Sequence, residues 1–195
     1  MSPDRSRWQP LGFEALRTTS LADRPSQIGV ADFGRPWQPG GALAGFLTGL
    51  PRILAGQTLR RAVEAIARCV RHQRTVMLAM GAHPIKVGLS PLLIDALQRR
   101  LLTAIALNGA GIVHDVEVAL VGRTSEDVPA RLGSGDFGSA RETAEVIHEA
   151  AIGAYRRGGC GLGLAVGRLL LDRAVPFAHC SLLATAAALD IPVTV

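Results

Sequence analysis

Lysine is all but absent from this chain: of its 21 Lys and Arg residues only one, Lys86, is a lysine. A composition of this kind fills basic surface positions with guanidinium by default. Lys86 is then either a chance survivor of that bias or a place where a compact ammonium, whose pKa shifts on burial, serves where Arg would not. Aromatic residues are scarce as well, at 4%. The net charge of +5 and the pI near 10 point toward nucleic acid. The basic residues are spread along the chain, however, and few rings exist to stack bases, so no nucleic-acid partner is expected. Cysteine is limited to Cys69, Cys160 and Cys180. An odd, widely spaced set without a Cys-x-x-Cys pair does not build a disulfide framework or a zinc site, and it fits reduced thiols in a cytoplasm. Long hydrophobic runs are missing too. Although 48% of the residues are hydrophobic, no stretch approaches the roughly 20 uncharged residues of a membrane span. Met1 to Arg7 is polar with no apolar segment after it, so neither a secretory signal nor a membrane partner is expected.

What is present divides at about residue 50. Residues 1–50 are rich in Pro, Gly and Arg with little periodicity, which predicts an irregular N-terminal arm lying over a neighbouring surface. Residues 51–195 read as one α/β domain. Leu59, Val63, Ile66, Ala67 and Val70 recur at helical spacing and predict an amphipathic helix from Gln57 to Arg71. The apolar run Thr75 to Met80, closed by Gly81, predicts a buried strand. Ser90-Pro91 is a start signal for a helix reaching Arg100, an N-cap followed by Pro at the first helical position. A second apolar strand, Thr103 to Leu107, ends at Asn108-Gly109-Ala110-Gly111. Strand, helix, strand with both strands apolar implies a right-handed crossover and a parallel sheet covered on both faces.

Val113 to Leu120 alternates as a strand would, yet also sets Val113, Val116 and Leu120 on one helical face; the glycine-rich turn before it favours the helix. Thr124 to Asp127 resembles a capping box. A glycine loop, Gly133 to Gly138, leads to helices expected at 139–157, 162–171 and 180–189. Ile191 to Val195 reads as a strand that Pro192 pushes toward an edge. A chain that stops inside an apolar strand is expected to be the first part of a longer protein or a truncated product.

Ligands of open parallel sheets bind outside the carboxyl ends of the strands. Two such ends are visible, Gly81-Ala-His83-Pro-Ile-Lys86-Val-Gly88 and Asn108-Gly109-Ala110-Gly111-Ile-Val-His114-Asp115. Glycines there let backbone N–H groups approach a ligand, and a following helix N-terminus favours phosphate. His83, Lys86, Asn108, His114 and Asp115 are polar side chains that strand-to-helix turns do not otherwise require. The bland alternative gives the glycines to tight turns and the histidines to local partners. His114 and Asp115 offer a general base and a charged neighbour, although adjacent helical residues point about 100° apart. Glu117 shares the side of His114 at three-residue spacing. The His residues show no metal-ligand spacing. Gly158-Gly-Cys-Gly161-Leu-Gly163-Leu-Ala-Val-Gly167 looks like a dinucleotide fingerprint, but it follows a helix where that motif requires a strand. It is expected to be a helix–helix turn, packed closely through Gly163 and Gly167.

These segments together resemble deoxyhypusine synthase, and in particular its bacterial deoxyhypusine-synthase-like relatives. The synthase segment Asn-Leu-Ile-Ser-Ser-Gly, a helix, a strand and Thr-Ala-Gly-Gly-Val-Glu-Glu-Asp lies without gaps over His83 to Asp115. The bacterial pattern Gly-x-His-x-Ile-Lys-x-Gly-Leu-x-Pro stands at Gly81 to Pro91. It continues with Asn-Gly-Ala at 108–110, His114-Asp115, Thr-Ser-Glu-Asp-Val at 124–128 and Phe137-Gly138. Ile191 to Val195 is similar to that family's Ile-Pro-Val strand. The resemblance covers most of residues 50–195. It implies a Rossmann-like three-layer fold with a mainly parallel sheet and a homotetramer. It also implies NAD as cofactor, lined by Gly81, His83, Lys86, Gly88, Asn108, Gly109, Ala110, Gly111 and Asp115.

Lys86, His114 and Asp115 are the candidate catalytic residues, and the resemblance implies an NAD-dependent transferase-type enzyme acting on an amine or another small metabolite. This chain has Lys86 where the synthase has small hydroxyl residues, and His114 where it has a glutamate. The synthase's imine-forming lysine lies beyond the Ile-Pro-Val strand and is not Lys86. Deoxyhypusine synthesis proper is therefore not expected. The alternatives are a non-catalytic nucleotide-binding or oligomerisation domain and an inactive truncated fragment. A polyamine site needs an acidic, aromatic-lined pocket, and no such cluster is visible along the sequence.

Overall fold

The structure is a computed structural model that describes residues 12–133 and 135–195, with the backbone alone at Arg157. The first eleven residues of the arm and Ser134 of the glycine loop lie outside the described residues. The chain forms two compact units, one up to Arg61 and one from Ala62 onward. The division falls within helix α2, Leu54–Arg71.

In the described part of the first unit no residue is buried. A 3-10 turn, Val30–Asp32, is closed by the Gly29 N–H donating to Asp32 Oδ2 at 3.0 Å. Helix α1, Leu43–Gly49, ends under Arg60, whose guanidinium donates to the carbonyls of Thr48 and Leu50. Those are the carbonyls a helix end leaves without partners.

The second unit holds a three-stranded parallel sheet of β1 (Met77–Ala79), β2 (Ala104–Ala106) and β3 (Val193–Thr194), in the spatial order β1-β2-β3. Met77 pairs with Ala104 and Ile105 with Val193. Pro192 enters the ladder only through its carbonyl, which accepts from Ile105 N at 3.0 Å. A residue without an N–H is tolerated there because β3 lies at a sheet edge. Around the sheet run α3 (His83–Lys86), α4 (Ser90–Gln98), α5 (Gly109–Val121), α6 (Val128–Leu132), α7 (Arg141–Arg157), α8 (Leu162–Asp172) and α9 (Leu182–Ala188). The described chain is thus mixed α/β and mostly helical, with a small parallel sheet. None of its helices is long and apolar enough to cross a membrane.

Ala104 and Ile105 face opposite sides of β2 and are both buried, so both faces of the central strand are covered. By contrast β1, expected to be buried, is an edge strand with Met77 and Ala79 exposed and only Leu78 partly covered. Ile112, Val116 and Ala119 of α5, Val166 and Leu170 of α8, and Leu182 and Leu183 of α9 complete the core. Burying each Leu or Ile contributes about 1.5–3 kcal/mol. The ambiguous stretch after Gly111 is helical, because α5 turns this apolar set inward at helical spacing.

The glycine run at 158–167 is a helix–helix turn. Gly158 and Gly159 take positive φ (68° and 85°), between α7 and α8. A Cβ on Gly163 would lie 2.4 Å from the Val193 carbonyl oxygen, and one on Gly167 would lie 2.2 Å from that of Leu183. These two glycines let α8 approach β3 and α9 closely. Two start signals differ from expectation. Leu89 caps α4 with Ser90 as its first residue, and the buried Ser90 Oγ has no hydrogen-bond partner among the described residues. Asp127, not Thr124, caps α6, accepting from Ala130 N at 3.3 Å. Thr124 is engaged elsewhere.

Candidate functional site

Because β1 and β2 run parallel, their carboxyl ends open on the same edge of the sheet. The two glycine-bearing segments therefore lie side by side: a Cβ built on Gly81 would sit 3.7 Å from Asn108 Nδ2. Asn108-Gly109-Ala110-Gly111 is an N-cap and first helical turn. Asn108 Oδ1 accepts from Gly111 N at 3.0 Å, which spends one of the first-turn donors. Gly109 and Ala110 are exposed, and their N–H groups belong to the turn that lacks carbonyls four residues back. Gly88, at φ 82°, sits in the left-handed region between α3 and α4. His83 and Lys86 are exposed on α3, which packs against α5. The structure thus sets Gly81 beside Asn108, with Gly109 and Ala110 on the first turn of α5, His83 and Lys86 on the short helix packed against α5, and Gly88 just after that helix.

Two residues of the sequence-predicted set stand apart. Gly111 is buried, and a Cβ there would meet Leu107 side-chain atoms at 3.3 Å, so its smallness serves the packing of α5 on the end of β2. Asp115 is fully buried on the inner side of α5. Its Oδ2 accepts from Ser181 Oγ at 2.6 Å and Leu183 N at 3.1 Å, and its Oδ1 accepts from Leu182 N at 2.8 Å. Both oxygens are committed to the start of α9, whose orphan N–H groups they satisfy. Burial raises the Asp115 carboxyl above its ordinary value of 3.8, against the pull of these three hydrogen bonds. Asp115 and His114 are consequently not a working pair: about 100° of helical twist sends Asp115 to the core and His114 to a partly exposed flank of α5.

His114 turns instead to Glu117 and Thr124. Its Nδ1 lies 2.6 Å from Thr124 Oγ1 and 3.4 Å from Glu117 Oε2, and the Thr124 hydroxyl donates to that same carboxylate oxygen. The His114 and Glu117 side chains are 17% and 18% exposed, which shelters the cluster from water without sealing it. His114 and Glu117 line a cavity of about 330 Å³ with Phe137, Ile147 and His148. A cavity of about 500 Å³ adjoins it, sharing Glu117, Glu126, Ala140 and Thr143 and adding Arg123 and Glu142. Glu117 and Glu126 therefore stand in the wall common to both cavities, Glu142 lines the larger of the two and Phe137 the one that holds His114. Thr124, Glu126 and Phe137 stand out in the sequence only as parts of a capping pattern and of the family resemblance, and Glu142 not at all. As site residues they are missed because they come from three different segments that no spacing along the chain links.

A larger groove of about 1110 Å³ lies between α7 and α8, where Glu145, Glu149 and Asp172 are set against Arg156, Arg168 and Arg173. Its charges balance, and the Arg173–Glu149 ion pair spans it on half-exposed side chains that add little stability. Among the described residues no group of three His, Cys, Asp or Glu side chains is arranged to hold a metal ion. No protein-family model matches the chain, and no curated protein matches it.

Proposed function

We propose that the chain is a deoxyhypusine-synthase-like protein with a Rossmann-like α/β layer, that it holds NAD at the carboxyl ends of β1 and β2, and that it acts on an amine. The observation that carries this reading is the meeting of the two glycine-bearing strand ends at the first turn of α5. The residues present fit a dinucleotide. A Cβ built on Gly88 or Gly109 meets no atom within 4 Å, so backbone is open to close approach there. The N–H groups of Gly109 and Ala110 begin a 13-residue helix, where a diphosphate is favoured. Lys86 and His83 add hydrogen-bond donors from α3, with positive charge from the ammonium.

When bound, NAD supplies a hydride acceptor. His114 follows Gly109 by five residues, about 7.5 Å along the helix axis. The cavity it lines suits a cationic amine, with Glu117 and Glu126 for the charge and the aromatic ring of Phe137 in its wall, and Glu142 lies in the adjoining cavity. Deoxyhypusine synthesis itself is not part of the proposal, since Lys86 and His114 replace the residues the synthase has there. A tetramer, which the resemblance implies, belongs to the same reading and is checked by sedimentation. The direct test is calorimetric titration of NAD into the folded protein. Saturable binding supports the reading, and the absence of binding by a well-folded sample overturns it.

A second reading, a non-catalytic nucleotide-binding or assembly domain, is favoured by the fold roles of Gly111 and Asp115. Under it the Lys86→Ala and His114→Ala variants keep the ligand affinity of the parent.

A further inference from the structure

We infer that Thr124 is a positioning residue which fixes the protonation of His114, placing the imidazole proton on Nδ1 and leaving Nε2 as a proton acceptor. A threonine hydroxyl carries a single proton, and a carboxylate only accepts. The Thr124 hydroxyl donates to Glu117 Oε2, so the oxygen that stands 2.6 Å from His114 Nδ1 has only lone pairs to offer the ring. Nδ1 must then be the donor, and the neutral imidazole keeps its free lone pair on Nε2. Among the described residues no protein group hydrogen-bonds to Nε2, and His114 lines the 330 Å³ cavity.

The chain is built to deliver Thr124 to this place. Gly122 ends α5 at φ 69°, which reverses the backbone after the last turn, and Thr124 returns alongside residues 114 and 117. The ring of Phe177 fills the space over Gly122, 2.9–3.1 Å from where a Cβ would stand. The turn is therefore closed to any larger residue on conformational and steric grounds alike.

The catalytic consequence rests on the amine reading above, whereas the tautomer itself does not. An ammonium group entering the cavity would give one proton to His114 Nε2. The N–H bond breaks, its electron pair stays on the amine nitrogen, and the new charge spreads over an imidazolium whose Nδ1 lies 3.4 Å from the Glu117 carboxylate.

The test is nitrogen-15 NMR of the imidazole nitrogens in the intact chain at alkaline pH, with the His114 signals assigned by their loss in His114→Gln. The expected wild-type pattern is a protonated Nδ1 and an unprotonated Nε2. Thr124→Val should move the proton partly or wholly to Nε2, and Thr124→Ser should restore the parent pattern. A wild-type spectrum with the proton on Nε2 overturns the inference, as does an unchanged pattern in a folded Thr124→Val. If Thr124→Val does not fold, the wild-type and Thr124→Ser spectra decide alone. NAD titration of the same samples separates the two proposals: binding without the expected tautomer sinks only this inference, and the tautomer without binding sinks only the cofactor reading.

Discussion

Asp115 and Ser181 lie 66 positions apart in the chain and are joined by a 2.6 Å hydrogen bond in the core. Ser181 uses the same oxygen to accept from Ala184 N at 2.9 Å, so one hydroxyl both caps α9 and donates to the carboxylate of α5. With the two N–H bonds from Leu182 and Leu183, Asp115 fastens the first turn of α9 to the middle of the helix that carries His114. The acid that stands next to His114 in sequence thus acts on the scaffold.

Asp115→Ala should be among the most destabilising single changes in the second unit. It leaves a buried hydroxyl and two buried N–H groups without an acceptor, each costing about 1–3 kcal/mol. The expected loss is about 3 kcal/mol or more, read from urea unfolding curves. A loss below about 1 kcal/mol would mean that water reaches these donors and that the clamp described above does not exist.

The pH dependence has a definite sign. Burial raises the Asp115 pKa, so the folded chain keeps this proton to higher pH than the unfolded chain, whose carboxyl titrates at the ordinary 3.8. Stability from this group is present below that value and is lost as pH rises from there through the raised folded-state value. Relative to Asp115→Asn, which does not titrate, wild type should lose stability over that window. A relative gain would show instead that the three hydrogen bonds outweigh burial and hold the carboxyl ionised.

The two kinds of glycine between α7 and α9 should separate in stability measurements. Gly167→Ala drives a methyl to 2.2 Å from the Leu183 carbonyl oxygen and 2.8 Å from Ala187 Cβ. A cost of about 1–3 kcal/mol is expected, as in other overpacked cores. Gly161→Ala meets nothing within 4 Å at φ −75° and should stay within about 0.5 kcal/mol of wild type. NAD titration should show equal affinity in parent and Gly161→Ala. A change there would return the 158–167 run to consideration as a nucleotide site.

Lys86→Ala should weaken NAD binding about tenfold, the order expected for losing one charge-assisted hydrogen bond to a diphosphate. Lys86 is exposed on α3, so the substitution should leave unfolding curves unchanged. Unaltered affinity in a folded variant would favour the non-catalytic reading and leave the lone lysine to the Arg-rich composition.

What the sequence by itself determined is local. Apolar residues at helical spacing set the existence of α2, the glycine-rich turn before α5 favoured helix over strand where the apolar spacing fitted both, and two short apolar runs followed by glycine-bearing turns set β1 and β2. A strand before the glycines at 108–111 and a helix before those at 158–167 were enough to tell a strand-end turn from a helix–helix turn. These features depend on backbone conformation and on which face of an element is apolar, and both are written in the nearest few residues. The small parallel sheet with side-by-side strand ends followed from the same rules.

The partners of the polar side chains were decided only by tertiary structure. Asp115 finds Ser181 across 66 positions of the chain, and His114 finds Thr124 only because Gly122 reverses the chain. Glu117, Glu126 and Glu142 share a cavity because α7 lies over α5 and the segment after it, a proximity that no pattern of spacing expresses. A buried carboxylate and a sheltered imidazole can stand next to each other in the sequence and still do unrelated work, because 100° of helical twist separates them and the fold determines what each one meets.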